Sequence, residues 1–128
     1  MTVCKTFINV QLKKGQPYKK AELIHDIGGF EYMASTYYDP DRDELYTFFN
    51  KDNKNWENIY EENTRTLRFF HRKFTTLEDA PAWERAKTRH VFLRRKNQNN
   101  DGYEYLGIAK GEKRVSVGGH DERHFAIQ

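Results

Sequence analysis

His90-Val91-Phe92-Leu93-Arg94-Arg95, then Lys96-Asn97-Gln98-Asn99-Asn100-Asp101-Gly102, then Tyr103-Glu104-Tyr105-Leu106-Gly107-Ile108: this stretch decides the fold. Its first part is the clearest strand of the chain, apolar at its centre. Its middle is polar and ends in Asp-Gly, a pair that adopts the positive φ angles of a tight hairpin turn. Its last part returns as the partner strand. An antiparallel hairpin is therefore the expected heart of the protein.

Working outward, residues 6–12 alternate, with Ile8, Val10 and Leu12 on one side and Asn9 and Gln11 on the other, as a half-buried strand does. Lys14-Gly15-Gln16-Pro17 ends it. Residues 18–27 predict a helix, since Ala21, Leu23, Ile24 and Ile27 fall at helical spacing and Gly28-Gly29 follows as a stop. Phe30 to Tyr38 is aromatic and extended. Asp39-Pro40-Asp41-Arg42-Asp43 is a turn, and Leu45 to Phe49 a strand, so a hairpin is expected there too. Lys51 to Asn63 is polar and holds Trp56, Ile59 and Tyr60; it reads as a loop or short helix. Thr66 to Phe74 is strand-like. Leu77 to Lys87, with Pro81 and Trp83, reads as a loop with a helical turn. Arg114 to Val117 and Phe125 to Ile127 read as short final strands around Gly118-Gly119. The sum is an α+β domain spanning 1–128: a small, mainly antiparallel curved sheet or barrel with one or two short helices.

Composition agrees with one packed domain. The 128 residues are 37% hydrophobic and 32% charged, and 8 Tyr, 9 Phe and 2 Trp supply large groups to bury. The single cysteine, Cys4, cannot form an internal disulfide and reads as a packed thiol. No apolar run is long enough to cross a bilayer, and the N-terminus lacks the apolar core of a signal peptide. A cytoplasmic protein with no membrane role is expected. The net charge is +3, but it is unevenly spread: residues 65–96 hold ten basic and three acidic side chains. That imbalance suits either a polyanion-facing surface or a solvated strand face.

Motifs that would signal catalysis are incomplete. Asp39-x-Asp41-x-Asp43 begins like a calcium loop, yet Glu44 stands where the loop needs glycine and Asn50 where it needs glutamate. His120-Asp121-Glu122-Arg123-His124 sets two histidines four apart, but without a third ligand and after two glycines it reads as an exposed C-terminal tail rather than a zinc site. There is no Gly-rich phosphate loop, cysteine pair or nucleophile elbow. No catalytic residue, metal or cofactor is expected. What remains is a run in which rings and cations interleave: Arg65, Arg68, Phe69, Phe70, His71, Arg72, Lys73 and Phe74, followed by Arg89, His90, Arg94, Arg95 and Lys96. Cations engage phosphates and ring faces stack on bases, although most rings of a small β domain form its core.

The order of several segments resembles a known family. Tyr18-Lys19-Lys20-Ala21-Glu22-Leu23-Ile24 with Ile27-Gly28, Asp43-Glu44-Leu45-Tyr46-Thr47-Phe48-Phe49-Asn50-Lys51, Phe70-His71 with Thr75-Thr76, and the hairpin closing on Tyr103-Glu104-Tyr105-Leu106-Gly107 carry the likeness. They are similar to the C-terminal domain of bacterial restriction proteins that fuse a phospholipase-D-type nuclease to a superfamily-two helicase. The likeness spans roughly residues 18–110. Arg72 stands where that family usually has Trp, and Lys73-Phe74 replaces its Ser-Gln. The resemblance implies a small barrel of the SET-and-RING-associated or pseudouridine-synthase-archaeosine-transglycosylase type, which reads modified bases. On that footing Arg65, Arg68, Arg72, Lys73, Arg94 and Arg95 would contact the DNA backbone, and Tyr37, Tyr38, Trp56, Phe70, His71 and Trp83 would be candidates to line a base pocket.

The function so read is a DNA-binding specificity module that recognises a modified base in restriction or phage-defence biology. Two alternatives stand beside it. One is a protein-binding module or small inhibitor of a defence enzyme, with the acidic segments 39–44 and 57–62 facing a basic partner. The other is a metal-dependent nuclease built from scattered carboxylates.

Overall fold

The computed structural model describes residues 12–27, 31–33, 36–50, 54–77, 85–94 and 102–128. Its elements are β1 (Pro17–Lys19), α1 (Lys20–Ile27), β2 (Glu31–Met33), β3 (Thr36–Asp39), β4 (Glu44–Asn50), β5 (Trp56–Glu61), β6 (Thr66–His71), β7 (Thr88–Arg94), β8 (Gly102–Val117) and β9 (His120–Ile127). The strands form one sheet in the order β2-β3-β4-β7-β8-β9-β6-β5, with β1 beside the start of β8. All neighbouring pairs are antiparallel except β4 with β7.

The central strands are apolar because both of their faces are covered. On one face, Tyr46, Phe48, Phe92, Tyr103 and Tyr105 form a ring-rich core with Leu23 of α1, and Tyr18 and Tyr37 pack against it. On the other, Val91, Leu93, Leu106 and Ala109 meet Leu67, Phe69, Phe125 and Ile127 from the far half of the sheet. The sheet is thus folded back on itself. The fold line runs through β8, which pairs with β7 near its start and with β9 along its second half.

Two register shifts mark that line, one opposite Val91/Phe92 and one between Lys110 and Glu112. Bulges of this kind raise local twist and bend a strand. At Gly107, φ is 132°. The C-terminal backbone crosses close to it, and Gln128 exchanges two hydrogen bonds with Ile108, at 2.9 and 3.1 Å. A Cβ at position 107 would run into the Gln128 carbonyl. The far turn of β8 is Gly118-Gly119, with φ of 56° and 86°. Those angles are the two positive values that a tight hairpin turn requires.

The curved sheet is as expected, but the barrel is not closed. The strand order is an open path, and among the described residues its end strands β2 and β5 do not pair. A barrel spreads tilt and shear evenly over its strands. Here the bend is concentrated at the bulges of β8, which folds the sheet without bringing its edges together.

Two further expectations are corrected. The polar segment 51–63 contains a strand, β5, rather than a loop or helix. Trp56 and Tyr60 pack on the core, and the buried Asn58 side chain between them donates to the Asn50 carbonyl at 2.8 Å. That alternation was masked by the Asn and Glu residues around it, and pairing with β6 supplies the partner the strand needs. Likewise 120–124 is not a tail but the first half of β9. Within the aromatic stretch 30–38, residues 31–33 and 36–38 belong to two strands, β2 and β3, that pair with each other. The hairpin at 39–43 is as expected: the buried Asp39 carboxylate accepts the backbone N–H groups of Asp41 and Arg42, at 3.1 and 3.3 Å. The helix is present as α1. Residues 6–11 of the strand read at 6–12, Cys4, Gly28-Gly29 and residues 96–101 of the turn read at 96–102 lie outside the described residues. No helix among the described residues is long and apolar enough to cross a membrane.

Replacing Gly107 with Ala is expected to destabilise the protein by about 2–4 kcal/mol, because the new methyl must displace the C-terminal backbone at a positive φ. Urea midpoints of the two proteins check this. An unchanged midpoint would mean that the chain end is not held against β8.

Candidate nucleic-acid interface

Strand β6 sorts its side chains by alternation. Leu67 and Phe69 enter the core, whereas Arg68 and Phe70 face the other way. The outward set meets the matching set of β9, since Arg68 lies opposite His124 and the next outward residue of β9 is Glu122.

Glu122 is only 1% exposed yet carries a charge. Arg68 donates to both of its oxygens, Nε to Oε1 at 2.9 Å and Nη2 to Oε2 at 3.2 Å. His120 and His124 each donate through Nε2 at 2.9 Å, one to each oxygen. Burial pushes the Glu122 carboxyl up, but the hydrogen bonds from Arg68, His124 and His120 outweigh it and bring it from the usual 4.5 down to about 2. Arg68 also holds Glu61 at 2.7 Å. Arg68, expected to grip a phosphate, is therefore engaged by two carboxylates. The histidine pair, read in the sequence as part of an exposed tail, is held by a buried carboxylate. The signal available was the alternation His120, Glu122, His124, which places all three on one face of a strand.

The other basic candidates differ. Arg65 is exposed in the turn before β6, with φ of 50°, and its carbonyl accepts the Ile127 N–H. Arg72 is exposed and pairs with Glu57 at 2.8 Å. Lys73 is exposed. Arg94 ends β7 and is half-buried. Arg95 lies outside the described residues.

Among the described residues, the ring candidates do not converge on one pocket. Tyr37 belongs to the core beneath α1, edge-on to Phe48 at 5.7 Å, with the Lys20 ammonium 5.3 Å from its ring. The Tyr38 hydroxyl donates to Asp43 at 2.9 Å. Phe70 lies 4.5 Å from the His120 ring on the carboxylate side. Trp56 and His71 do come together, edge-on at 5.1 Å. Trp83 lies outside the described residues.

A ring absent from the candidate set completes the last group. Phe74 is 62% exposed. It lies 4.4 Å from the ring of His71, tilted by 33°. Arg72 and Lys73 precede it directly in the chain. Phe74 was legible as part of the run of rings and cations, but nothing in the sequence distinguished it from the buried Phe69.

A second polar group sits on the α1 side of the sheet. The Tyr46 hydroxyl donates to Glu44 at 2.8 Å, and the Tyr46 ring stacks on His90 at 4.7 Å. His90 Nδ1 meets the Tyr105 hydroxyl at 2.8 Å. Burial lowers the His90 pKa against the opposing pull of Glu44. Burial, then Glu44, pushes the Tyr105 hydroxyl up to about 12. The group is two hydrogen-bonded pairs joined by the stack of Tyr46 on His90. Among the described residues, no three His, Cys, Asp or Glu side chains converge in a way that could hold a metal ion.

No family model matches this sequence, and no curated protein matches it. Among solved structures, the fold is similar to part of the DNA modification-dependent restriction endonuclease AspBHI, with a TM-score of 0.52 and 13% sequence identity. The match covers 91% of this chain and 42% of that one. At that identity the likeness is one of fold.

Replacing Glu122 with Gln is expected to cost about 2–4 kcal/mol, since the half-buried Arg68 would keep its charge with one carboxylate fewer. The pH dependence has a definite sign. The folded carboxyl titrates below the unfolded one, so its contribution is complete above about 4.5 and is lost as pH falls toward about 2. Thermal melts from pH 6 to about 2.5 on both proteins test it. Parallel acid losses in the two would rule out Glu122 as the source.

Proposed function

We propose that this chain is a DNA-binding module that recognises a modified base, in restriction or phage-defence biology. The observation that carries the reading is the folded-back sheet that nine-tenths of the chain has in common with part of AspBHI, a restriction endonuclease that depends on DNA modification. The surface supports it. Arg65, Arg72 and Lys73 are exposed, and Phe74 presents a ring beside two of them. Cations of this kind bind phosphates and displace counterions, while rings supply stacking that a purely electrostatic surface lacks.

The division of labour differs from the one read in sequence. Arg68 holds the β6–β9 face together through Glu122 and Glu61, and so acts as a positioning residue. Trp56 and His71 remain the ring candidates nearest to exposed cations. Tyr37, engaged in the core under α1, supports the sheet from behind.

The test is fluorescence anisotropy with matched duplexes carrying cytosine, 5-methylcytosine or 5-hydroxymethylcytosine, at two salt concentrations. Tighter binding to one modified duplex is expected. Arg72→Ala and Lys73→Ala should each weaken binding to every duplex and shrink the slope of log affinity against log salt by about one. Equal affinity for all duplexes would reduce the protein to a nonspecific basic surface. No binding at low salt would overturn the proposal.

A further inference from the structure

We propose, on the DNA-binding reading above, that the β8–β9 ribbon of residues 110–124 enters the major groove of paired DNA and holds phosphates from both of its faces. The ribbon lies outside the run of cations at 65–96 that first pointed to DNA.

The end of β8 stands clear of the core. β8 pairs with β7 over residues 104–108 and, from Ala109 onward, with β9. Neighbouring residues of a strand point to opposite faces, so a strand covered on one side is exposed at every second position. Here Lys113 and Arg114 are both exposed, and so are Ser116 and Val117. Both faces of the ribbon therefore meet solvent at these positions. Its tip is the exposed Gly118-Gly119 turn, which adds no side chain to its width.

The ribbon is nonetheless held. A two-stranded hairpin alone in water is marginal. At the root, Gln128 and Ile108 exchange two hydrogen bonds, and the Arg123 guanidinium lies 5.7 Å from the centre of the core ring Phe69. Nearer the tip, the Asp121 N–H donates to the Thr75 carbonyl at 2.6 Å. The Asp121 carboxylate accepts the Ser116 hydroxyl at 3.0 Å and the Leu77 N–H at 3.4 Å. An element fixed before binding loses little entropy when its partner arrives.

Charge selects the partner. The carboxylates of the ribbon are engaged: Glu112 by Arg123 at 2.8 Å, Glu122 by Arg68 and the two histidines, and Asp121 as above. The exposed charges of the ribbon are Lys110, Lys113 and Arg114, all cations. Lys110 lies opposite Ala126 and Lys113 opposite His124, two apart on β9, so the two lysines share a face. The bulge at Gly111 brings this about, because residues three apart on a regular strand point to opposite faces. Arg114 points to the other face. It lies directly opposite Arg123, where like charges weaken a strand pair, and an anionic partner offsets that cost.

Cations on both faces fit a partner with anions on two sides. A flat acidic protein surface meets one face only. The major groove of DNA is about 12 Å wide, admits a two-stranded ribbon and has phosphates along both walls. The minor groove, about 6 Å wide, is too narrow.

The experiment measures binding of one paired duplex over a series of salt concentrations by fluorescence anisotropy. It compares the wild type with Lys113→Ala, Arg114→Ala and Lys113→Arg, after thermal melts confirm that each is folded. Each alanine variant is expected to weaken binding roughly three-fold or more at low salt and to reduce the slope of log affinity against log salt by about one. Lys113→Arg should keep both. Methyl green, which occupies the major groove, should displace the protein, and netropsin, which occupies the minor groove, should not. Wild-type affinity and slope in both alanine variants, or displacement by netropsin alone, would overturn the ribbon while leaving DNA binding intact. No wild-type binding to the duplex would overturn both readings.

Discussion

One strand has to serve two halves of a sheet. β8 is sixteen residues long and pairs with β1, β7 and β9. Its bend lets the inner faces of the two halves meet over Leu67, Phe69, Leu93 and Phe125. The bend in turn depends on a backbone position with no side chain, since the chain end passes over Gly107 and hydrogen-bonds with Ile108. The hydrophobic core, the position of β6 and the outward face of β9 all follow from that crossing.

Buried polar groups then fix the register of the far half. A carboxylate taken out of water is costly unless its oxygens are satisfied. Glu122 meets this condition with one arginine from the adjacent strand β6 and two histidines of its own strand. A slip of β9 by one residue would turn Glu122 into the apolar core and Phe125 out to solvent. The same strand pair that sets this face also positions the end of β6, from which the His71–Phe74 segment departs. The surface proposed to bind DNA is therefore held by the interior rather than added to it.

Strong local patterns made much of the fold legible. The apolar run of β7 and its return at 103–108, the helix with Leu23 at its buried position, and the Asp-rich hairpin at 39–43 were all readable from periodicity and turn chemistry. What failed did so for a tertiary reason. β5 is polar because only Trp56, Asn58 and Tyr60 face inward, and its partner lies across a turn that local pattern cannot see. The segment 120–124 looked like a solvated tail because charge is normally a surface signal. Nothing local announces that a carboxylate will be matched by an arginine fifty-four residues away. For the same reason the cations were visible as a group, but not that Arg68 was engaged internally while Arg72 and Lys73 faced outward.

The parallel pairing of β4 with β7 has a kinetic meaning. These two strands carry the ring core, yet the whole β5–β6 hairpin lies between them in the chain. Loop-closure entropy has to be met before such a pairing rewards it. The β8–β9 hairpin has no such delay, because two glycines close it. Assembly is thereby biased to form the local hairpins first and to close the β4–β7 pairing later. During that interval the rings of β4 and β7 lack the contacts that they make with each other in the folded sheet.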